Sequence, residues 1–84
     1  MKHFATPAFW TCYRGLPAHV RELANKNYQI LKENSQHPSL RLKKVGRYWS
    51  VRIGLNYRAL AIDMDEGLLW FWIGNHSEYD RLLK

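Results

Sequence analysis

The sequence predicts an α+β fold: a small antiparallel sheet of about four strands with an N-terminal helical hairpin on one face, closed by a short C-terminal helix, in the order β-α-α-β-β-β-α. Three observations predict it. Apolar residues recur at helical spacing between Phe9 and Leu31. From Leu40 onward the period drops to two, and turn clusters interrupt the alternation. The 84 residues make one domain, spanning 1–84, and leave little room for a second.

Residues 2 to 5 form a short first strand that ends at Thr6-Pro7. Thr6 is placed to cap a helix and Pro7 to occupy its first turn, where a missing N–H costs nothing. Phe9, Trp10, Tyr13 and Leu16 lay an apolar stripe along this short helix, and Gly15 ends it. A second helix starts at Pro17; Val20, Leu23, Ala24, Tyr28, Ile30 and Leu31 give it one buried face. It stops near Glu33-Asn34, because "NSQHPS" is a turn cluster containing a proline. The segment from Leu40 to Ile53 then alternates apolar residues with Arg41, Lys43, Lys44, Ser50 and Arg52. "GLN" (54 to 56) turns the chain into the strand Tyr57 to Ile62, and "DMDEG" (63 to 67) turns it again. Leu68 to Ile73 is a continuous apolar run, expected to be a central strand covered on both sides; Gly74-Asn75 break it and Ser77 to Leu83 form the last helix.

The charge distribution narrows the function. The net charge is +6, yet no acid lies between Glu33 and Asp63, while that stretch holds Arg41, Lys43, Lys44, Arg47, Arg52 and Arg58. A local basic field interleaved with aromatics suits a polyanion, nucleic acid first, or an acidic protein partner. A solvated strand face is the plainer alternative, since lysines also protect exposed sheet edges. Cys12 is the one cysteine, so no intramolecular disulfide forms and a reducing cytoplasm is the expected compartment. The N-terminus lacks the apolar core of a signal peptide, and no apolar run approaches the ~20 residues of a membrane helix. His3 and His19 have no partners at ligand spacing, so neither a metal nor another cofactor is expected.

"HPSLRLKKVGRYWSVRIGLNYRALAI" followed by "WFWIGNHSEYDRLL" resembles the RelE/ParE superfamily, the toxin halves of bacterial type II toxin–antitoxin pairs. The resemblance runs from about Pro7 to the C-terminus and rests on "YRAL", the hydrophobic last strand and the "HxEY" tail. It implies a RelE/ParE-like fold, a cognate acidic antitoxin and one of several activities. RelE-like members are mRNA interferases that cut mRNA on the ribosome and so inhibit translation. ParE-like members poison DNA gyrase, and other relatives have no known activity, which leaves a non-catalytic nucleic-acid-binding module as a further alternative.

In the endoribonuclease branch the RNA is cleaved by its own 2′-OH. That reaction needs a group to take the 2′ proton, one to protonate the departing 5′-oxygen, and cations around the phosphate. By the resemblance, Arg58 falls on the arginine at the scissile phosphate and Arg52 on a second basic strand position. His76 follows the last strand where an arginine or histidine is usual, and Tyr79 matches an aromatic that stacks on a base. Arg41, Lys43, Lys44 and Arg47 would then bind RNA phosphates. Ser50 departs from the pattern, in which lysine is frequent, and moves the proton-transfer burden onto His76. Each residue has a structural alternative: Arg58 paired with Asp63 or Asp65, Arg52 solvated, His76 capping the last helix or wedged on Trp72, Tyr79 packed on the sheet. His37, before a proline, is read as structural. On the functional reading, Gly74-Asn75 deliver His76 to the rim that carries Arg52 and Arg58.

Overall fold

A computed structural model describes residues 2–83. Its elements are β1 (Lys2–Ala5), α1 (Pro7–Arg14), α2 (Ala18–Glu33), a 3-10 turn (Pro38–Leu40), β2 (Lys43–Val45), β3 (Tyr48–Ile53), β4 (Tyr57–Met64), β5 (Gly67–Asn75) and α3 (His76–Leu82). The strands form one sheet in the order β1-β5-β4-β3-β2.

The α+β class, the two consecutive helices and the closing helix agree with the sequence reading; the sheet differs in two ways. It has five strands, because the segment from Leu40 to Ile53 is two strands rather than one. Gly46 takes a left-handed φ of 63°, which a glycine adopts without steric cost, and Val45 pairs with Tyr48 across the resulting two-residue turn. The sheet is also mixed: β1 runs parallel to β5, while β2, β3, β4 and β5 are antiparallel to their neighbours. The central strand is therefore β4, with β5 beside it. Leu40, expected to open the strand, instead closes the 3-10 turn and is fully buried.

Local chemistry explains the helices. Thr6 accepts a hydrogen bond from the Phe9 N–H at 3.0 Å, so the N-cap of α1 forms as its sequence requires. The Tyr13 hydroxyl donates to Asn25 Oδ1 at 2.8 Å and ties α1 to α2. Leu16, Val20 and Leu31 bury against Val51, Ile53, Ala59, Ala61, Leu68, Trp70 and Ile73, which fixes the helical face of the sheet. Each large apolar side chain fully buried in this way contributes about 1.5–3 kcal/mol. On β1, His3 Nδ1 accepts from the Trp70 indole N–H at 3.1 Å, which locks the imidazole as the tautomer protonated on Nε2.

The opposite face is covered differently. Leu60 and Ser50, 1% and 2% exposed, belong to this second face, and α3 packs across it with Tyr79 at 7% exposure. The β4–β5 register slips at Leu60/Ala61: Leu60 faces Trp72 but Ala61 faces Trp70, so Phe71 bulges out and meets the Tyr48 ring at 5.4 Å.

Candidate active site

The site begins with strand register. Ile53 pairs with Tyr57 around the three-residue turn Gly54-Leu55-Asn56, which places Arg52 directly opposite Arg58 and Arg58 opposite Gly74. One row further along, Lys43 faces Ser50, Ser50 faces Leu60 and Leu60 faces Trp72. Residues two apart on a strand share a face. Lys43, Arg52 and Arg58 therefore rise from the same face as Ser50 and Leu60, the one on which α3 lies.

Both guanidiniums are half-buried and held by backbone. Arg52 Nε donates to the Gly54 carbonyl at 2.9 Å, and Arg58 Nη1 donates to the Tyr57 carbonyl at 2.8 Å. The Arg58 Cζ also sits 5.9 Å from the centre of the Tyr79 ring. From the helical side, Asn27 Nδ2 donates to the Arg52 carbonyl at 3.0 Å and steadies the strand beneath the arginine. Among the described residues neither guanidinium pairs with an acid. Asp63, one of the acids on the same hairpin, is bound instead by Lys44 and by the Trp49 indole N–H at 2.8 Å. The Lys44 hydrogen bond, more than any other influence, holds the Asp63 carboxyl below the usual carboxylate range.

α3 brings in the histidine. Asn75 is the cap: its Oδ1 accepts from the Glu78 N–H at 2.9 Å while its Nδ2 donates to Glu78 Oε1 at 3.2 Å. His76 is thus the first helical residue, and its N–H donates to the Asn56 carbonyl at 2.7 Å. That bond ties the start of α3 to the turn between Arg52 and Arg58, so all three residues share one rim. The His76 ring stacks on Tyr79, with 5.9 Å between centroids, and Nε2 lies 3.4 Å from Asp80 Oδ2, one turn along. Gly74 and Asn75 do not break the strand as expected but are its last two paired residues, and Gly74 leaves room for the Trp72 indole, which a Cβ there would meet at 2.5 Å.

The other expected residues divide. Tyr79 is packed between His76 and Arg58, so its ring is not open to a base in this arrangement. Lys43 is exposed beside Ser50 and shares the arginine face. Lys44, next in the strand, points to the opposite face and is joined to Asp63. Arg47 lies over Tyr48 in the β2–β3 turn, at the far end of β3 from Arg52. Arg41 is exposed after the 3-10 turn with a left-handed φ of 46°. An apolar cavity of about 250 Å³, lined by Phe9, Tyr13, Tyr28 and Trp70 among others, lies between the helices and the sheet, away from the arginines. Among the described residues no three His, Cys, Asp or Glu side chains are placed to hold a metal ion, and no helix is long and apolar enough to cross a membrane. The Lys44–Asp63 bond and the His3–Trp70 bond had no signal in the sequence, because both depend on register between distant strands.

Comparison with known proteins places this architecture. A family model described as a ParE-like toxin domain matches residues 18–81. Among solved structures, the RelB–RelE antitoxin–toxin complex of Methanococcus jannaschii aligns at 20% identity over 93% of this chain and 96% of the other, with a TM-score of 0.71. A YoeB/ParE toxin from Agrobacterium tumefaciens aligns at 20% identity over 90% and 99%, TM-score 0.68. The isolated Escherichia coli RelE toxin aligns at 16% identity over 98% and 97%, TM-score 0.64. No curated protein sequence matches. The chain belongs to the ParE-like toxin domain family, within the RelE/ParE superfamily of toxin–antitoxin toxins.

Proposed function

We propose that this toxin is a ribosome-dependent mRNA endonuclease that inhibits translation in the cytoplasm and is held in check by an acidic antitoxin. The observation that carries the reading is the Arg52–Arg58 pair, two arginines directly opposite in strand register with no acid paired to either among the described residues, and His76 on the same rim. Like charges directly opposed on a sheet are destabilising, so the arrangement suits an anion seated between them. A phosphodiester fits: guanidinium forks match paired phosphate oxygens and stay charged at any working pH.

In this reading Arg58 and Arg52 grip the scissile phosphate and stabilise the charge that builds on it. His76 provides the proton transfer that two arginines cannot, since an imidazole nitrogen can accept a proton and give it back. Asp80 orients the ring. The 2′-oxygen attacks phosphorus and the 5′-oxygen departs, leaving a 2′,3′-cyclic phosphate and a 5′-hydroxyl. An antitoxin partner is supported by the antitoxin–toxin complex of the M. jannaschii relative, and its acidic character by the basic face.

The ParE-like description of the family favours a second reading, inhibition of DNA gyrase without chemistry. The two separate in one experiment. Expression of the wild-type chain and of Arg58→Ala, followed by mapping of mRNA ends and of chromosomal breaks, yields Arg58-dependent mRNA cuts for a nuclease and DNA breaks with intact mRNA for a gyrase poison.

A further inference from the structure

Cleavage by the 2′-OH needs two proton transfers, and His76 accounts for one. We infer that Lys43 supplies the other, as the general acid that protonates the departing 5′-oxygen; this rests on the endonuclease reading. Three strands and the start of α3 present the relevant side chains in spatial order: Lys43 on β2, opposite Ser50 and so one same-face row from Arg52, then Arg52 on β3, Arg58 on β4, and His76 just past the end of β5. Lys43 and His76 therefore flank the arginine pair on opposite sides. In phosphoryl transfer the entering and leaving oxygens lie roughly in line on opposite sides of phosphorus. An acid and a base that serve one phosphate must flank the groups holding it, and this order provides that. Neighbouring strands are ~4.8 Å apart and residues on a strand ~3.4 Å apart, so from its place opposite Ser50 the Lys43 side chain has about 7 Å to cover across the sheet and about 7 Å along it to the phosphate seat between the arginines.

The other candidates on this face fall away. Arginines keep their protons at any working pH. Ser50, directly opposite Lys43, is 2% exposed, and Tyr79 is 7% exposed beneath Arg58 and His76. Glu78 is engaged with the Asn75 cap, and Asp80 with His76. Lys43 is exposed and, among the described residues, forms no ion pair, unlike its neighbour Lys44. An ammonium has protons to give and no lone pair to accept one, which suits an acid and not a base.

The step balances. His76 Nδ1, the nitrogen away from Asp80, takes the 2′ proton as the 2′-oxygen bonds to phosphorus. The P–O5′ bond breaks, and its electron pair accepts a proton from Lys43 Nζ, giving the 5′-hydroxyl and a neutral amine that solvent reprotonates.

The test is single-turnover cleavage of ribosome-bound mRNA carrying either the natural 5′-oxygen or a 5′-bridging sulfur at the scissile position; a thiolate leaves without a proton. Lys43→Ala should lose ~10²–10³-fold on the oxygen substrate and less than about tenfold on the sulfur substrate. Lys43→Arg should remain slow on oxygen despite keeping the charge, because a guanidinium does not release its proton. Equal slowing of both substrates by Lys43→Ala, or full activity of Lys43→Arg on oxygen, overturns the assignment. A wild-type chain that cleaves neither substrate removes the endonuclease reading itself, and the acid with it.

Discussion

Arg52 and Arg58 face each other across the β3–β4 hairpin with no described acid between them. A pair chosen for stability would carry opposite signs. Relieving the repulsion is worth ~0.2–1 kcal/mol, while removing Arg58 also loses its contact with Tyr79, ~0.5–1 kcal/mol. The two effects nearly cancel. Arg58→Ala should therefore leave the thermal midpoint within a few degrees of wild type while abolishing growth arrest on expression. Arg58→Lys should restore little, since a point charge lacks the bidentate fork. An Arg58→Ala protein that unfolds would assign this arginine a structural role instead.

Gly74 tests the packing at the end of β5, the strand that delivers His76. An alanine methyl there meets Trp72 Cζ2 at 2.5 Å, with Cη2 at 3.0 Å and Cε2 at 3.1 Å, so the whole half-buried indole has to shift. Gly74→Ala should cost ~1–3 kcal/mol, as overpacking of a folded interior does, seen as a lower denaturant midpoint at unchanged slope. An unchanged midpoint would mean that the indole is not held against this strand.

Lys43 and Lys44 are adjacent but should behave differently. Each phosphate contact on single-stranded nucleic acid contributes roughly −0.7 to the slope of log affinity against log salt. Lys43→Ala should flatten the salt dependence of binding to programmed ribosomes by about that amount. Lys44→Ala should not, because Lys44 faces the other way and holds Asp63. Equal effects of the two substitutions would contradict the assignment of faces.

His3 gives a pH prediction. Burial, reinforced by nearby positive charge that includes Lys32, lowers its affinity for a proton below that of an ordinary histidine. As pH falls through about 6.5, the unfolded chain takes up a proton that the folded one resists. This contribution to stability is thus fully present above that pH and declines below it, in a window well above the carboxylates. The thermal midpoint should fall between pH 7.5 and 5.5, and His3→Gln should flatten the fall. A profile identical in both proteins would place the sensitivity elsewhere.

Much of this was legible in the residues. The Thr6 cap, the extent of α2 and the hairpin that opposes Arg52 to Arg58 follow from local chemistry, since a three-residue turn centred on Leu55 dictates that pairing. The fifth strand depended on one glycine at a position of ordinary alternation, and the parallel β1–β5 pairing joins segments more than sixty residues apart, which no local period encodes. The site was legible as a set of residue types but not as an arrangement. Lys44 looked as available as Lys43, and only the bond to Asp63 distinguishes them; for Tyr79 the sequence offered both base stacking and packing on the sheet, and the position of α3 shows the packing.

The central claim is that the rim of Arg52, Arg58 and His76 cleaves RNA, and its most direct test is the chemistry of the products. Purified protein should be added to ribosomes programmed with a defined mRNA, and the fragment ends analysed. The account predicts fragments ending in a 2′,3′-cyclic phosphate and a 5′-hydroxyl, formed only with ribosomes present and absent with Arg58→Ala. Intact mRNA under these conditions, together with gyrase-dependent DNA breaks from the same preparation, would contradict it.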